Sequence, residues 1–306
     1  MNGIVAVWKE KGMTSHDVIF QMRKIFKMKR IGHCGTLDPE VEGVLVVCLG
    51  QATKLVEFLM EGKKIYQGEV TLGIATDTED AHGQVIEEKL LEQAIDDQAI
   101  DQVLQSLTGH ITQIPPYYSA VKVKGKRLYE YARAGIKVER PKRQVYIEHF
   151  KRLGPSRYEA DSQTQSFLFE VKCSKGTYVR TLAVDCGKAL GYPSHMSKLI
   201  RTQAANFEQA DSYRLDQLRL LSEDNKLSRA ILPIELAISH FTQIQLNEDQ
   251  YHDIKHGKVL TADYFGDNLD QPTALLYQSH LLAIYGPHPS KVGLIKPIKM
   301  FSTEGV

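Results

Sequence analysis

Apolar residues recur along the chain in short runs with two different periods. Ile4 to Trp8 form one run, closed by Lys9, and predict a strand. Val18, Ile19, Met22, Ile25 and Phe26 repeat every three to four positions and predict a helix over 16–30, with Ser15 as its cap and Lys24, Lys27 and Arg30 outside the apolar face. A loop punctuated by Gly32, Gly35 and Gly43 follows, and Val44 to Leu49 then predict a buried strand. The pattern goes on to a short helix over 52–60 and a strand over 65–74 with partial alternation through Tyr66, Val70, Leu72 and Ile74. Ile100, Val103, Leu104 and Leu107 predict a helix over 97–107 stopped by Gly109; Phe167 to Cys173 alternate as a strand, and 178–190 read as a helix ending at Gly191. Strands and helices mix without a βαβ rhythm, so the expected class is α+β, a mixed and largely antiparallel sheet with flanking helices. The pattern restarts after Pro233. Short strands over 274–277, 281–285 and 292–295 predict a small β-rich second domain, dividing the chain into 1–235 and 236–306.

Composition adds little until it is read by segment. A chain of 306 residues with 42% hydrophobic and 25% charged residues is long enough for about two domains and excludes a disordered tail or a polycation. The formal charge of +1 argues, taken whole, against a nucleic-acid partner. That sum is a cancellation: residues 1–34 carry +5 and residues 115–152 carry +8, against −8 over residues 77–101. Two basic blocks are therefore available to phosphate, and the acidic segment is expected to face away from it. Cys34, Cys48, Cys173 and Cys186 have neither zinc nor redox spacing, which predicts a reduced, cytoplasmic protein. No apolar run is long enough for a signal peptide or membrane span, so no membrane association is expected.

Three stretches have side chains suited to chemistry. In Gly32-His33-Cys34-Gly35-Thr36-Leu37-Asp38-Pro39, Pro39 biases Asp38 toward an extended backbone and the glycines allow close approach, so the carboxylate can be presented to a cleft; Asp-Pro is also ordinary turn chemistry. In Ser174-Lys175-Gly176-Thr177-Tyr178-Val179-Arg180, Thr177 can cap the following helix, which puts Arg180 in a first turn where a cation opposes the helix dipole. Such an Arg either points into solvent or has an anion, a phosphate or a carboxylate such as Asp38. Tyr117 and Tyr118, followed by Lys122, Lys124, Lys126, Arg127, Tyr129 and Tyr131, interleave aromatics with cations as a nucleic-acid surface does; a solvated hairpin shares that pattern. A calcium loop counted from Asp77 fails, because Ala81 falls on a ligand position and His82 on the required glycine.

These stretches, in this order, resemble the bacterial tRNA pseudouridine synthase B family, which isomerises uridine 55 in the T-loop of tRNA. The resemblance runs through Lys9 with Gly12-Met13-Thr14-Ser15, the loop around Asp38, Leu49-Gly50-Gln51-Ala52-Thr53-Lys54, Lys64-Ile65-Tyr66, Thr76-Asp77-Thr78, Ile114-Pro115-Pro116 with Tyr118-Ser119-Ala120, Leu128 to Arg133, and Cys173 to Arg180. Glu10 stands where the family often has proline. The resemblance implies a pseudouridine synthase fold with a PUA-like C-terminal domain, and Asp38 as the nucleophile, paired with and oriented by Arg180. It further implies that Tyr66 stacks on the target base and assists proton transfer, that Tyr178 and Leu199 line the pocket, and that His33 fills the space left by the flipped base. Lys9 would support the active-site loop or contact RNA. No cofactor or metal is implied, since the product is an isomer, and the implied partner is the tRNA T-stem-loop alone, bound by a monomer with no obligate protein partner. Extruding a base costs a few kcal/mol and one aromatic stack returns about 1–3 kcal/mol, so phosphate contacts would supply the net affinity. Two other classes use the same residues: a non-catalytic RNA binder on the basic blocks, and a hydrolase using the acidic cluster at 77–82.

Overall fold

A computed structural model describes residues 1–266 and 269–302. Its strands are β1 (Gly3–Lys9), β2 (Ile31–Cys34), β3 (Glu42–Leu49), β4 (Lys64–Leu72), β5 (Gly109–Gln113), β6 (Arg143–Arg152), β7 (Thr164–Cys173) and β8 (Ser194–Ala204). They form a mixed sheet in the order β1-β3-β8-β4-β7-β6-β5, with β2 on β3 beside β8. All of these pairings are antiparallel except β3 with β8. The class is α+β, as the mixed periodicities predict.

Both faces of this sheet are covered. Along β1 the side chains alternate: Val5 and Val7 pack with Val18, Ile19 and Met22 of α1 (Ser15–Ile25), while Ile4, Ala6 and Trp8 pack in a cluster with Ala274, Leu276, Leu281 and Ile284 near the C-terminus. Burial on both faces is why Ile4 to Trp8 read as an unbroken apolar run rather than an alternating one. At the other end of the sheet, α2 (Asp97–Ser106) and α3 (Val179–Leu190) bury Ile100, Leu104, Leu182 and Cys186 against Val145, Phe167, Phe169 and Val171. Gly191, at φ +80°, ends α3 where its sequence predicts a stop.

The C-terminal residues form a second sheet from β9 (Thr242–Gln245), β10 (Leu260–Thr261), β11 (Thr273–Tyr277), β12 (His280–Pro287) and β13 (Leu294–Met300), ordered β9-β11-β12-β13-β10. Residues 267–268 and 303–306 of the expected second domain lie outside the described residues.

Several boundaries differ from the sequence reading, for local reasons. The cap of α1 is Thr14, not Ser15: Thr14 Oγ1 accepts from the Asp17 amide at 3.1 Å, and the Asp17 carboxylate accepts from the Thr14 amide at 2.8 Å. The helix also stops at Ile25, because Lys27 has a left-handed backbone (φ +51°). Residues 31–34 are a strand, which confines the loop to 35–41. The strand predicted to run to Ile74 breaks at Gly73 (φ +108°), beyond which Ile74–Thr76 pairs with Val85–Glu88. Thr177 does not cap α3: its hydroxyl donates to the Ser174 carbonyl, and the helix begins after Tyr178.

Candidate active site

The start of β4, the middle of β8, the N-terminus of α3, the loop at 35–41 and residues 118–120 surround a cleft of about 480 Å³. Asp38, Tyr66, Tyr178, Arg180 and Leu199 all line it, so five of the seven residues singled out in the sequence meet in one place.

Asp38 sits on a loop held from below. Ser15, at the start of α1, is buried, and its hydroxyl accepts from the Leu37 amide at 2.9 Å and donates to the Leu37 carbonyl at 3.3 Å. Ser15 thus splints the loop rather than capping its own helix. Lys9, at the end of β1, has no exposed surface; its ammonium donates to the carbonyls of Glu10, Met13 and Pro39 at 3.0, 2.8 and 3.0 Å. Of its two implied roles, loop support fits this placement and RNA contact does not, since RNA cannot reach a fully buried side chain. Burial pushes the Lys9 ammonium down to about 8, against the raising effect of the nearby Glu40 and Asp38 charges. The Asp38 side chain itself is half exposed, with Oδ2 at 3.2 Å from Arg180 Nη2.

Arg180 is the hub of the site. Its side chain is only 7% exposed, and beyond Asp38 it donates to the Tyr118 carbonyl (Nη2, 2.9 Å) and the Thr78 carbonyl (Nη1, 2.9 Å), with Asp80 Oδ2 at 3.5 Å from Nη1. The cation in the first turn of α3 therefore has its anion, and two of them. Asp80 is fixed in turn by Thr78 Oγ1 and the His82 amide, both on Oδ1, which leaves Oδ2 for Arg180. Next to it, Glu79 accepts from Thr181 Oγ1 at 2.9 Å and lies 3.8 Å from Arg140; burial pushes its carboxyl up from the ordinary value. The acidic segment thus does not all face away from the basic one. Asp77 to Asp80 are half-buried, with Thr78, Glu79 and Asp80 bonded to Arg180 and Thr181 of α3, while Glu87, Glu88 and Glu92 stay on the surface. A segment charge has magnitude but no direction, which is why the sequence reading missed Asp80.

The aromatic walls are equally braced. Tyr178 is held by Gln113, fully buried, which accepts from the Tyr178 amide at 3.0 Å and donates to its carbonyl at 3.2 Å; Arg143 lies over the ring, 5.2 Å from its centre. Tyr66 is half-buried on β4, where burial pushes its phenol above the ordinary value. Lys64, two residues earlier, is buried and donates to the carbonyls of Met60 and Gly62; burial brings it down to about 8. His33 is not in the cleft lining. It stands half-buried on β2, its ring 5.6 Å from that of exposed His16, and burial followed by the His16 charge pushes it below the ordinary histidine value.

Chemically, the cleft offers a solvent-reachable carboxylate with one oxygen held and one open, a buried cation beside it, and two phenol rings suited to gripping a flat base. Lys122, Lys124, Lys126 and Arg127 lie on an exposed hairpin in the segment between β5 and β6, and Tyr118 of that segment reaches the cleft.

The chain resembles known proteins along its length. A family model for the N-terminal domain of the TruB family pseudouridylate synthases matches residues 23–179, and a model for the tRNA pseudouridylate synthase B C-terminal domain matches residues 180–239. The tRNA pseudouridine synthase B of Bacillus pumilus is 45% identical over 307 aligned residues, and that of Halalkalibacterium halodurans 48% over 304, each covering 99% of both chains. Among solved structures, an H/ACA RNP bound to a substrate RNA containing 2′-deoxyuridine aligns with a TM-score of 0.72 at 23% identity, covering 99% of this chain and 86% of that one. A Cbf5–Nop10–Gar1 complex aligns with a TM-score of 0.71 at 26% identity, covering 98% and 84%. The first of these likenesses is one of fold.

Proposed function

The chain belongs to the TruB family of pseudouridylate synthases, and from that membership and the cleft geometry we propose that it isomerises uridine 55 in the T-loop of tRNA to pseudouridine, with Asp38 as the nucleophile. The observation that carries the assignment of Asp38 is its 3.2 Å pairing with Arg180 at the mouth of a cleft walled by Tyr66 and Tyr178.

The reaction breaks the N1–C1′ bond, turns the uracil over, joins C5 to C1′ and removes the C5 proton. A carboxylate suits it, being able to act on the nucleotide and then leave again. Arg180 occupies Oδ2 of Asp38, so Oδ1 is the oxygen that faces the nucleotide. The pins on Leu37 and Pro39 fix where that oxygen stands before RNA arrives, so little reorganisation is left for the chemical step. The target base leaves the T-loop stack and lies between Tyr66 and Tyr178 with Leu199 as a wall, while Tyr66 assists proton transfer. His33, outside the cleft, takes the space the base leaves.

Nothing in this balance calls for a redox partner or a group donor, and every named side chain comes from one chain, so a monomer acting on the T-stem-loop suffices. Residues 1–235 would carry the chemistry and residues 236–306, a PUA-like unit, would add RNA contacts. A tRNA substrate makes the cytoplasm the proposed compartment.

Carbodiimide mapping of a minimal T-stem-loop tests the reading. The wild-type chain yields pseudouridine at position 55 and Asp38→Asn yields none while still binding the RNA. Turnover by Asp38→Asn at a normal rate removes Asp38 from the role, and wild-type binding without product makes the chain an RNA-binding protein.

A further inference from the structure

Among the described residues, the bulkiest fully buried side chain is a cation. Arg201, on β8, is 1% exposed, and among the described residues no carboxylate lies within ion-pair distance of it. Burying a guanidinium without a counter-ion is costly, so the position calls for an explanation.

Part of it is structural. The edge of β3 is shared by two strands: β2 leaves at the Cys34–Val46 pair and β8 joins at the Gly43–Arg201 pair, so the Val44 carbonyl lies in the gap between them. Arg201 closes that gap, Nε donating to the Val44 carbonyl at 2.8 Å and Nη2 to the Gly35 carbonyl at 3.2 Å, three residues before Asp38. Two carbonyls need donors, but they do not need a full charge. What the charge faces is Tyr66: the two residues are register partners across β8 and β4, so their side chains share one face, and both line the cleft. The Arg201 charge also works against the upward push of burial on the Tyr66 phenol.

We infer that Arg201 is a positioning residue for this reaction, fixing the Tyr66 phenol and the root of the Asp38 loop in one frame beneath the cleft. The inference rests on the roles proposed above for Asp38 and Tyr66. It makes the loop and the phenol dependent on one almost wholly buried side chain.

The test places 3-fluorotyrosine at position 66 of the full chain and follows its 19F titration without RNA, so the readout stands whether or not Asp38 is the nucleophile. Fluorination lowers the phenol's midpoint, against the upward push of burial. Arg201→Met should move the midpoint up by about one pH unit, a tenfold change in ionisation. Arg201→Lys keeps the charge but cannot bridge both carbonyls; its midpoint should stay near that of the wild type while kcat falls and KM holds. An unmoved midpoint in Arg201→Met, or an unchanged kcat in Arg201→Lys, overturns the inference. If Arg201→Met fails to give a cooperative melt, Arg201→Lys decides alone.

Discussion

Two segments border the same cleft and are held in different ways. Residues 35–41, which carry Asp38, are short and tied from beneath by Lys9, Ser15, the Gly12 amide and Arg201, with Leu37 and Val41 buried as apolar plugs. Residues 114–142, which carry the basic hairpin, are long and mostly in solvent: from 120 to 142 Leu128 is the one buried residue. This segment is fastened at its base, where Arg140 donates to the Pro115 carbonyl at 3.0 Å and lies over the Tyr117 ring, and where Arg180 holds the Tyr118 carbonyl. The contrast separates two tasks. A reacting carboxylate needs a fixed position, whereas lysines that meet phosphates need reach and charge. Among the described residues, Arg180 is the one side chain bonded to both segments.

That shared position makes Arg180 the place where the contrast breaks most severely. Arg180→Met removes the partner of Asp38 and Asp80 and two carbonyl donors at once, and should cut the single-turnover rate by roughly a hundredfold or more, the scale of losing about 3 kcal/mol from a buried pair. A loss under tenfold with normal folding would mean the pair does not organise the site.

Lys9 ties down the loop that carries Asp38. Lys9→Met leaves the Glu10 and Met13 carbonyls without their donor and the Pro39 carbonyl with the Gly12 amide alone, and should cost about 2 kcal/mol of stability, read as a lower melting temperature, with a drop in kcat and little change in RNA affinity. A weaker affinity at unchanged kcat would instead put Lys9 in contact with RNA.

A smaller effect follows from the depressed values of Lys9 and Lys64. Folded, both release their proton near pH 8, whereas the unfolded chain holds it to above about 10. Between those limits the unfolded state binds more protons, so these groups make stability rise with pH. The melting temperature of the wild type should therefore gain on that of Lys9→Met from pH 8 to 10; a constant difference would refute the shift at Lys9.

Much of the Asp38 side was legible in the sequence because its signals are local: glycines, an Asp-Pro step, and the apolar face of α1. The helix at 178–190 and the first-turn Arg180 were legible for the same reason. Strand β8 was not. Its eleven residues include Ser194, His195 and Arg201, buried polar side chains that hide a central strand from any hydropathy pattern, and with β8 went the brace under Tyr66. Asp80 was hidden by its neighbours in an acidic run, and Gln113 by being an ordinary amide whose value lies in a hydrogen bond to a residue 65 positions away. These features are held by long-range interactions, which periodicity does not encode.

The division of labour itself is tested most directly by neutralising Lys122, Lys124, Lys126 and Arg127 together and measuring single turnover on a T-stem-loop across RNA concentration. Affinity should fall at least tenfold and the salt dependence should become shallower by roughly 0.7–0.9 for each phosphate no longer neutralised, with the rate at saturating RNA within about twofold of wild type. A saturating rate that falls in step with affinity would contradict that division, because the exposed segment would then be part of what positions Asp38.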